Sequence, residues 1–343
     1  MKRLIFIFII SLMLLSCPIR DDRRLHISPG LYNLSGINTT FDDYNAAPPP
    51  SFYFSQNIIY STNSGTEGDN FDIWEASIEF LIDYPGGMND ADKTVTLTES
   101  DIQNARIGPY LDGLYNSDQN EYGPYILDTC TRFIRGYYNP SEVLTDENLL
   151  YLFGSNRPNG DNFDIYFINQ SGDPLSQFCG NSNDDDFYPT YHKNTGALYF
   201  SSNRDGDYDI FAYVNSSGTP IGDFLGSSCT PSDFSKPDIL NSSSDEKCPY
   251  IVDDIMVFVS DRTGSGDIYY SQYRDGGWTT PVSMDAVYAS INTSFEEYRP
   301  ALFTAYYDSR TDDNKILIFS SNRDGGMGGF DLYLCILPAG ACE

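Results

Sequence analysis

Short apolar runs recur along this chain, each rich in β-branched or aromatic side chains. They are NIIY from Asn57, LLYLF from Leu149, ALYF from Ala197, IMVFV from Ile255 and ILIF from Ile316. Each is too short for a helix and is followed by a polar turn holding glycine, so the expected local structure is strand, turn, strand. The turns resemble one another. STNSGTEGDNFDIW from Ser61, GSNRPNGDNFDIYF from Gly154, SSNRDGDYDIFA from Ser201, VSDRTGSGDIYY from Val259 and SSNRDGGMGGFDLY from Ser320 follow one plan. A small residue precedes Asn or Asp, usually then Arg, a glycine loop, and Asp with Ile or Leu and an aromatic. A second marker is a proline opening another apolar run: GPYL at Gly108, GPYI at Gly123, YPTY at Tyr188, CPYI at Cys248 and RPAL at Arg299. Proline is tolerated at the first residue of a strand, where its missing N–H leaves no ladder bond unmade.

The spacing turns these elements into an architecture. The marker Asn or Asp stands at 63, 156, 203, 261 and 322, with steps of 93, 47, 58 and 61 residues. Units of about 40–50 residues with room for four strands are the signature of an all-β propeller. The 93-residue step is close to two units and contains the orphan GPYL, so six blades over residues 49–343 are expected, one of them degenerate near residues 90–122. Five blades with a long insertion is the alternative.

Composition and the ends of the chain narrow the setting. Aromatic residues make up 15% of the chain, with 27 tyrosines and 22 phenylalanines, which speaks for a large folded core. Lys2 and Arg3 precede the apolar run Leu4 to Leu15, followed by Ser16 and Cys17. A basic start and a run too short to span a bilayer predict a secretory signal over residues 1–16. Cys17 directly after LLS resembles a lipobox, which implies cleavage before Cys17 and its acylation. Residues 17–48 are polar and proline-rich and read as a tether, part of which could instead supply a strand that closes the ring. The remaining cysteines, Cys130, Cys179, Cys229, Cys248, Cys335 and Cys342, are even in number. In an exported chain they are disulfide candidates, with Cys229–Cys248 and Cys335–Cys342 the pairs nearest in sequence. The net charge of −29 disfavours nucleic acid and anionic headgroups and suits cations or basic partners.

The string FSSNRxGxxDIY, best seen at Ile318 as IFSSNRDGGMGGFDLY, resembles the TolB-type, WD40-like propeller repeat of bacterial envelope proteins. That resemblance implies the propeller fold and an envelope location, with the outer membrane as the expected site of anchoring. TolB itself carries an α/β domain ahead of its propeller, for which the roughly 30 residues here leave no room. The family also includes propeller halves of serine peptidases, but no G-x-S-x-G elbow is present.

Candidate chemistry is mostly absorbed by the repeat. Asp72, Asp164, Asp209, Asp267 and Asp331 hold one repeat position, so they are expected on different blades. There each would accept turn amides and pair with the blade's own arginine, Arg157, Arg204, Arg262 or Arg323, with Ser64 standing in the first unit. Asp205, Asp207 and Asp209 imitate the start of a calcium loop, but Ile210 and Ser216 occupy the positions where glycine and glutamate are required. No other cofactor or metal site is expected. His192 reads as a surface turn residue without a nucleophile partner. Arg132, Arg135, Arg274, Arg299 and Arg310 could contribute to a carboxylate-binding arginine cluster, but nothing in the pattern selects among them. Tyr137, Tyr138, Tyr306 and Tyr307 lie in inserts and are candidates for a partner surface. The resulting expectation is a non-catalytic, lipid-anchored scaffold binding an envelope protein, a peptide or a glycan. The alternative is a hydrolase of glycans or peptides with its site at the channel mouth.

Overall fold

The computed structural model describes residues 29–48, 52–53, 55–83, 94–101, 118–128, 149–157, 161–168, 174–307, 310–338 and 340–342. The signal segment, Cys17, Cys130, Tyr137, Tyr138 and the GPYL segment lie outside them. Five sheets are formed, and they are the blades of a five-bladed propeller. The first blade is β2 (Asp43–Ala47), β4 (Ser55–Thr62), β5 (Asp72–Asp83) and β6 (Thr94–Asp101). The second is β7 (Glu121–Asp128), β8 (Leu149–Ser155), β9 (Asp164–Ile168) and β10 (Ser176–Gln177). The third is β11 (Asp186–His192), β12 (Ala197–Ser202), β13 (Asp209–Val214) and β14 (Phe234–Ser235). In the fourth, β15 (Glu246–Val252), β16 (Ile255–Ser260) and β17 (Asp267–Arg274) are completed by two short pieces, β18 (Gly277–Trp278) and β19 (Val282–Ser283).

The fifth blade closes the ring. Its strands β20 (Glu297–Tyr307), β21 (Arg310–Ser321) and β22 (Asp331–Ile336) take their outermost partner from the other end of the chain, β1 (Gly30–Asn33), which runs antiparallel to β22. The innermost strands β2, β7, β11, β15 and β20 each touch the next, and β20 touches β2. Residues 30–47, assigned to the tether on composition, are therefore part of the ring, and the alternative of a closing strand applies. Their polarity is that of an outer strand and a connector rather than of a free linker.

The count is five rather than six because the 93-residue step is lengthened by insertion within one pair of blades. Strands β5 and β6 pair along an extended hairpin, from Ala76↔Asp101 to Asp83↔Thr94. The last blade has a similar extension, β20 with β21, and β3 (Phe52–Tyr53) adds to it in parallel at Ala305 and Tyr306. The apolar runs alternate between blade faces: Ile58, Tyr60, Leu150, Leu152, Leu198, Phe200, Val257 and Phe258 are buried between neighbouring sheets. The prolines do not head their strands. Pro124, Pro189, Pro249 and Pro300 sit inside the innermost strands, each at a register shift where the ladder bond is already interrupted.

Candidate functional site

The motif arginines do not pair with the motif aspartates. Each reaches the acidic residue that opens the innermost strand of its own blade: Arg157 to Glu121 at 2.5 Å, Arg204 to Asp186 at 2.5 Å, Arg262 to Glu246 at 2.9 Å and Arg323 to Glu297 at 2.9 Å. These carboxylates are fully buried. The Arg Nε–H donates to the small residue of the motif, Ser155, Ser202, Ser260 or Ser321. Three of the guanidinium groups also donate to carbonyls of the incoming connector, at Gly180, Leu240 and Ile291. A buried ion pair needs such extra hydrogen bonds to offset desolvation. The fifth position, in the first blade, lacks the cation. Asp43 accepts the Thr39 N–H at 2.6 Å, Ser64 takes the place of arginine, and burial raises the Asp43 pKa to about 6.

The motif Asn or Asp has a second task, which is to tie adjacent turns. Asn63, Asn156, Asn203, Asp261 and Asn322 accept the N–H of Asp42, Asn120, Asp185, Asp245 and Glu296. Those residues in turn accept an N–H from the previous blade, at Phe330, Phe71, Phe163, Tyr208 and Gly266. Asn38, Asn181, Asn241 and Asn292 complete the stitching. Each amide both accepts from and donates to one backbone unit, at Leu332, Ile165, Ile210 and Ile268. The side chain thereby imitates a strand neighbour and keeps buried peptide groups paired.

The motif aspartates are the outer members of these junctions. Asp331 accepts the N–H groups of Met327 and Gly328, as expected for a turn acceptor. Asp209 instead binds the Lys236 ammonium at 2.7 Å, and Asp267 accepts the Thr263 hydroxyl. Burial raises the pKa of Asp72, Asp209 and Asp267, and lifts Asp164 to about 6 with the Asp186 charge adding to it. The triple at Asp205, Asp207 and Asp209 already faces a cation of the chain itself, since Lys236 also lies 3.7 Å from Asp205. A calcium ion at this turn would have to displace it.

What the blades do not share lies on the axis. Asn45, Gly123, Tyr188, Cys248 and Arg299 occupy one equivalent position, the left-handed residue of each inner-strand bulge, with φ of 60°, 58°, 56°, 57° and 43°. Arg299 is fully buried and crosses the ring. Its guanidinium donates to the Pro249 carbonyl of the fourth blade at 3.1 Å and to the Pro124 carbonyl of the second at 3.3 Å. It stands 5.2 Å from the Tyr188 ring centroid and 5.6 Å from that of Tyr250. Tyr125 meets Tyr250, and Tyr188 meets Tyr298, each pair joining blades that are not neighbours. Gly123 is glycine because the Tyr188 ring lies where its Cβ would be. Burial keeps the Cys248 thiol protonated, with its pKa raised to about 11. The axis is thus plugged by aromatic rings around one guanidinium, and among the described residues no carboxylate contributes a hydrogen bond to that guanidinium.

Other expected residues fall elsewhere. His192 is buried at the end of β11, not on the surface. It sits 3.0 Å from Asp254 and 2.9 Å from the Thr195 hydroxyl, with Tyr273 and Trp278 against its ring. Cys179, Cys229, Cys248, Cys335 and Cys342 are free thiols, so neither Cys229–Cys248 nor Cys335–Cys342 is bridged. Cys248 is held on the axis and Cys335 in strand β22, which sequence proximity could not foresee. Tyr306 and Tyr307 lie in the extended part of β20, paired with Thr311 and Arg310.

Two signals in the sequence would have found the acidic partners. Glu121, Asp186, Glu246 and Glu297 each stand three residues before the marker proline. Asn38-Thr39, Asn181-Ser182, Asn241-Ser242 and Asn292-Thr293 each precede the acid at a fixed distance.

No protein-family model matches the sequence, and no curated protein is similar to it. Solved structures are similar in fold. TolB from Acinetobacter baumannii shares 12% identity over 88% of this chain and 56% of its own, with a TM-score of 0.36. The chain thus spans little more than half the length of that protein. An endo-arabinase from Bacteroides thetaiotaomicron shares 12% identity over 89% of this chain and 95% of its own, with a TM-score of 0.46. A family 117 glycoside hydrolase of Zobellia galactanivorans, Zg3597, shares 13% identity over 91% of each chain, with a TM-score of 0.43.

Proposed function

We propose that the protein is a lipid-anchored, non-catalytic propeller of the bacterial envelope that engages another envelope protein through the face opposite its SNR turns. The observation that carries this reading is the inequality of the two faces. Strands alternate in direction, so the SNR turns share one face with the connectors between blades, and that face is taken up by the repeated stitching. The extended hairpins β5–β6 and β20–β21, the added strand β3, and the long 215–233 connection all belong to the other face. Inserts on a rigid ring are the usual place for recognition.

Two further observations agree with it. The side chains that plug the axis leave recognition to the faces. Because β1 runs antiparallel to β22 from Gly30↔Ile336, the chain enters the ring on the insert-bearing face. A lipid at Cys17 would hold that face within about 40 Å of the bilayer, the reach of a dozen extended residues, which suits a partner at the membrane surface.

Photo-crosslinking in cells tests the assignment. A crosslinking residue at Val214, 48% exposed on the insert-bearing face, should capture a discrete envelope protein, and one at Met327, 48% exposed beside an SNR turn, should not. Capture from position 327 alone, or no protein capture together with retention on a glycan array, would overturn it.

A further inference from the structure

Among the described residues Arg299 is the only buried lysine or arginine. Its two Nη groups donate to the Pro249 and Pro124 carbonyls, at 3.1 and 3.3 Å, while its Nε–H has no hydrogen-bond partner. Carbonyl oxygens satisfy donors but leave the positive charge uncompensated in a dry setting. Burial pulls the guanidinium pKa down, yet arginine keeps its proton at neutral pH, so the charge cannot be shed. The ionisable side chains that act on it most are the Cys248 thiol and the hydroxyls of Tyr188, Tyr250 and Tyr125. Burial raises the pKa of each, that of Cys248 to about 11, so all four are neutral. A desolvated ion without an opposite charge is among the costliest arrangements a core can hold. Asn45 adds a second unmet need at the same level of the axis. It holds on the first blade the bulge position that Arg299 holds on the fifth, with φ of 60° against 43°. The two blades are neighbours there, since the preceding residues Tyr44 and Tyr298 bring their ring centroids to 5.9 Å. Asn45 is fully buried, and neither its Oδ1 nor its Nδ2 has a partner, although its backbone N–H donates to the Ser320 hydroxyl at 3.2 Å. Buried polar groups are otherwise almost always paired.

We propose that the axis of the ring is a binding site for a small monovalent anion of the chloride type, held between the Arg299 Nε–H and the Asn45 side-chain N–H. A water molecule would satisfy those donors but not the charge, whereas an anion does both. The surrounding rings select for size. Tyr188 and Tyr250 stand with their centroids 5.2 and 5.6 Å from the guanidinium carbon, which suits a single atom better than a carboxylate or phosphate group. The net charge of −29 opposes anions over the outer surface. At the axis the unscreened guanidinium outweighs it, because exterior charges are damped by solvent and salt. The bound ion ties the first blade to the fifth, where the two ends of the chain meet.

The inference stands whichever face binds a partner. The test uses the mature chain at constant ionic strength, with sodium gluconate exchanged stepwise for sodium chloride. Once the site begins to fill, the melting temperature should rise by about 2 °C for each tenfold increase in chloride. Arg299→Met should abolish that response. Asn45→Gly keeps the left-handed backbone while deleting the amide, so it should move the response to about tenfold higher chloride, and it serves if Arg299→Met does not fold. A crystal soaked in sodium bromide should show one anomalous peak within hydrogen-bond distance of the Arg299 Nε. A melting temperature indifferent to the exchange would overturn the proposal. So would a chloride response unchanged in Asn45→Gly or persisting in Arg299→Met, or bromide found on the outer surface alone.

Discussion

At the scale of the residue, the repeated motif is a device for holding a carboxylate in a dry junction. Four blades do it with arginine, and the first blade has Ser64 where the guanidinium should be. The Ser64 N–H bonds the Thr62 hydroxyl just as the Arg204 N–H bonds the Ser202 hydroxyl, so the backbone is already placed for an arginine. Asp43 is left with its pKa near 6 because burial penalises its charge. A carboxyl whose folded pKa lies above the unfolded 3.8 loses stability as pH rises between the two values, and the loss, about 3 kcal/mol here, is complete above both. Ser64→Arg should therefore raise stability at pH 7 by about 1–3 kcal/mol and add nothing below pH 4, where Asp43 is protonated in either state. Denaturant unfolding of both proteins at the two pH values checks it, and an equal gain at both would mean that the arginine acts by packing alone. The arginine, the asparagine and the turn were legible in the sequence because they repeat in type. Their carboxylate partners were legible only by position, three residues before the marker proline, because aspartate and glutamate both occur there and a one-letter alignment does not equate them. The axial residues were invisible for the opposite reason. Asn45, Gly123, Tyr188, Cys248 and Arg299 share a backbone conformation and nothing else.

At the scale of the element, the strand that matters most is the shortest full partner in its blade. β1 contributes four residues, and without it the outer edge of β22 would be open at Tyr333 to Ile336. The following turn is bound in as well: Asn38 bonds both backbone groups of Leu332, and Leu34 and Ile37 are buried beside β22 residues Leu332 and Leu334. Closing a ring with strands from both chain ends links the termini, so local fraying at either end opens the whole circle. A chain starting at Pro29 should keep the full melting temperature, whereas one starting at Ser35 should melt at least 5 °C lower and aggregate through the exposed β22 edge. Calorimetry with light scattering on the two chains decides it; identical melting would show that β1 is dispensable. Composition concealed this element, because four polar-flanked residues in a proline-rich stretch carry no period to read.

At the scale of the whole molecule, two effects of charge act in the same direction. Burial holds Asp43 and Asp164 near pKa 6 and raises Asp72, Asp209, Asp267 and Glu297 as well. In the native state these groups keep protons that the unfolded chain gives up above pH 4, so each lowers stability as pH climbs toward neutrality. The net charge of −29 grows over the same interval and adds self-repulsion, which falls off with screening. The arginine pairs oppose this only locally, since each is one cation against a junction holding two or more carboxyl groups. The propeller should therefore be most stable on the acid side of neutrality, near pH 5, and lose stability toward pH 8. Added salt should recover the repulsive part of that loss, while the buried carboxyls, which salt reaches poorly, keep theirs. Melting temperatures measured from pH 4 to 8 at low and at 0.5 M sodium chloride separate the two contributions. A maximum at pH 7 or above would mean that the junction carboxylates are stabilised as anions, and the protonated state argued for Asp43 and Asp164 would have to be abandoned.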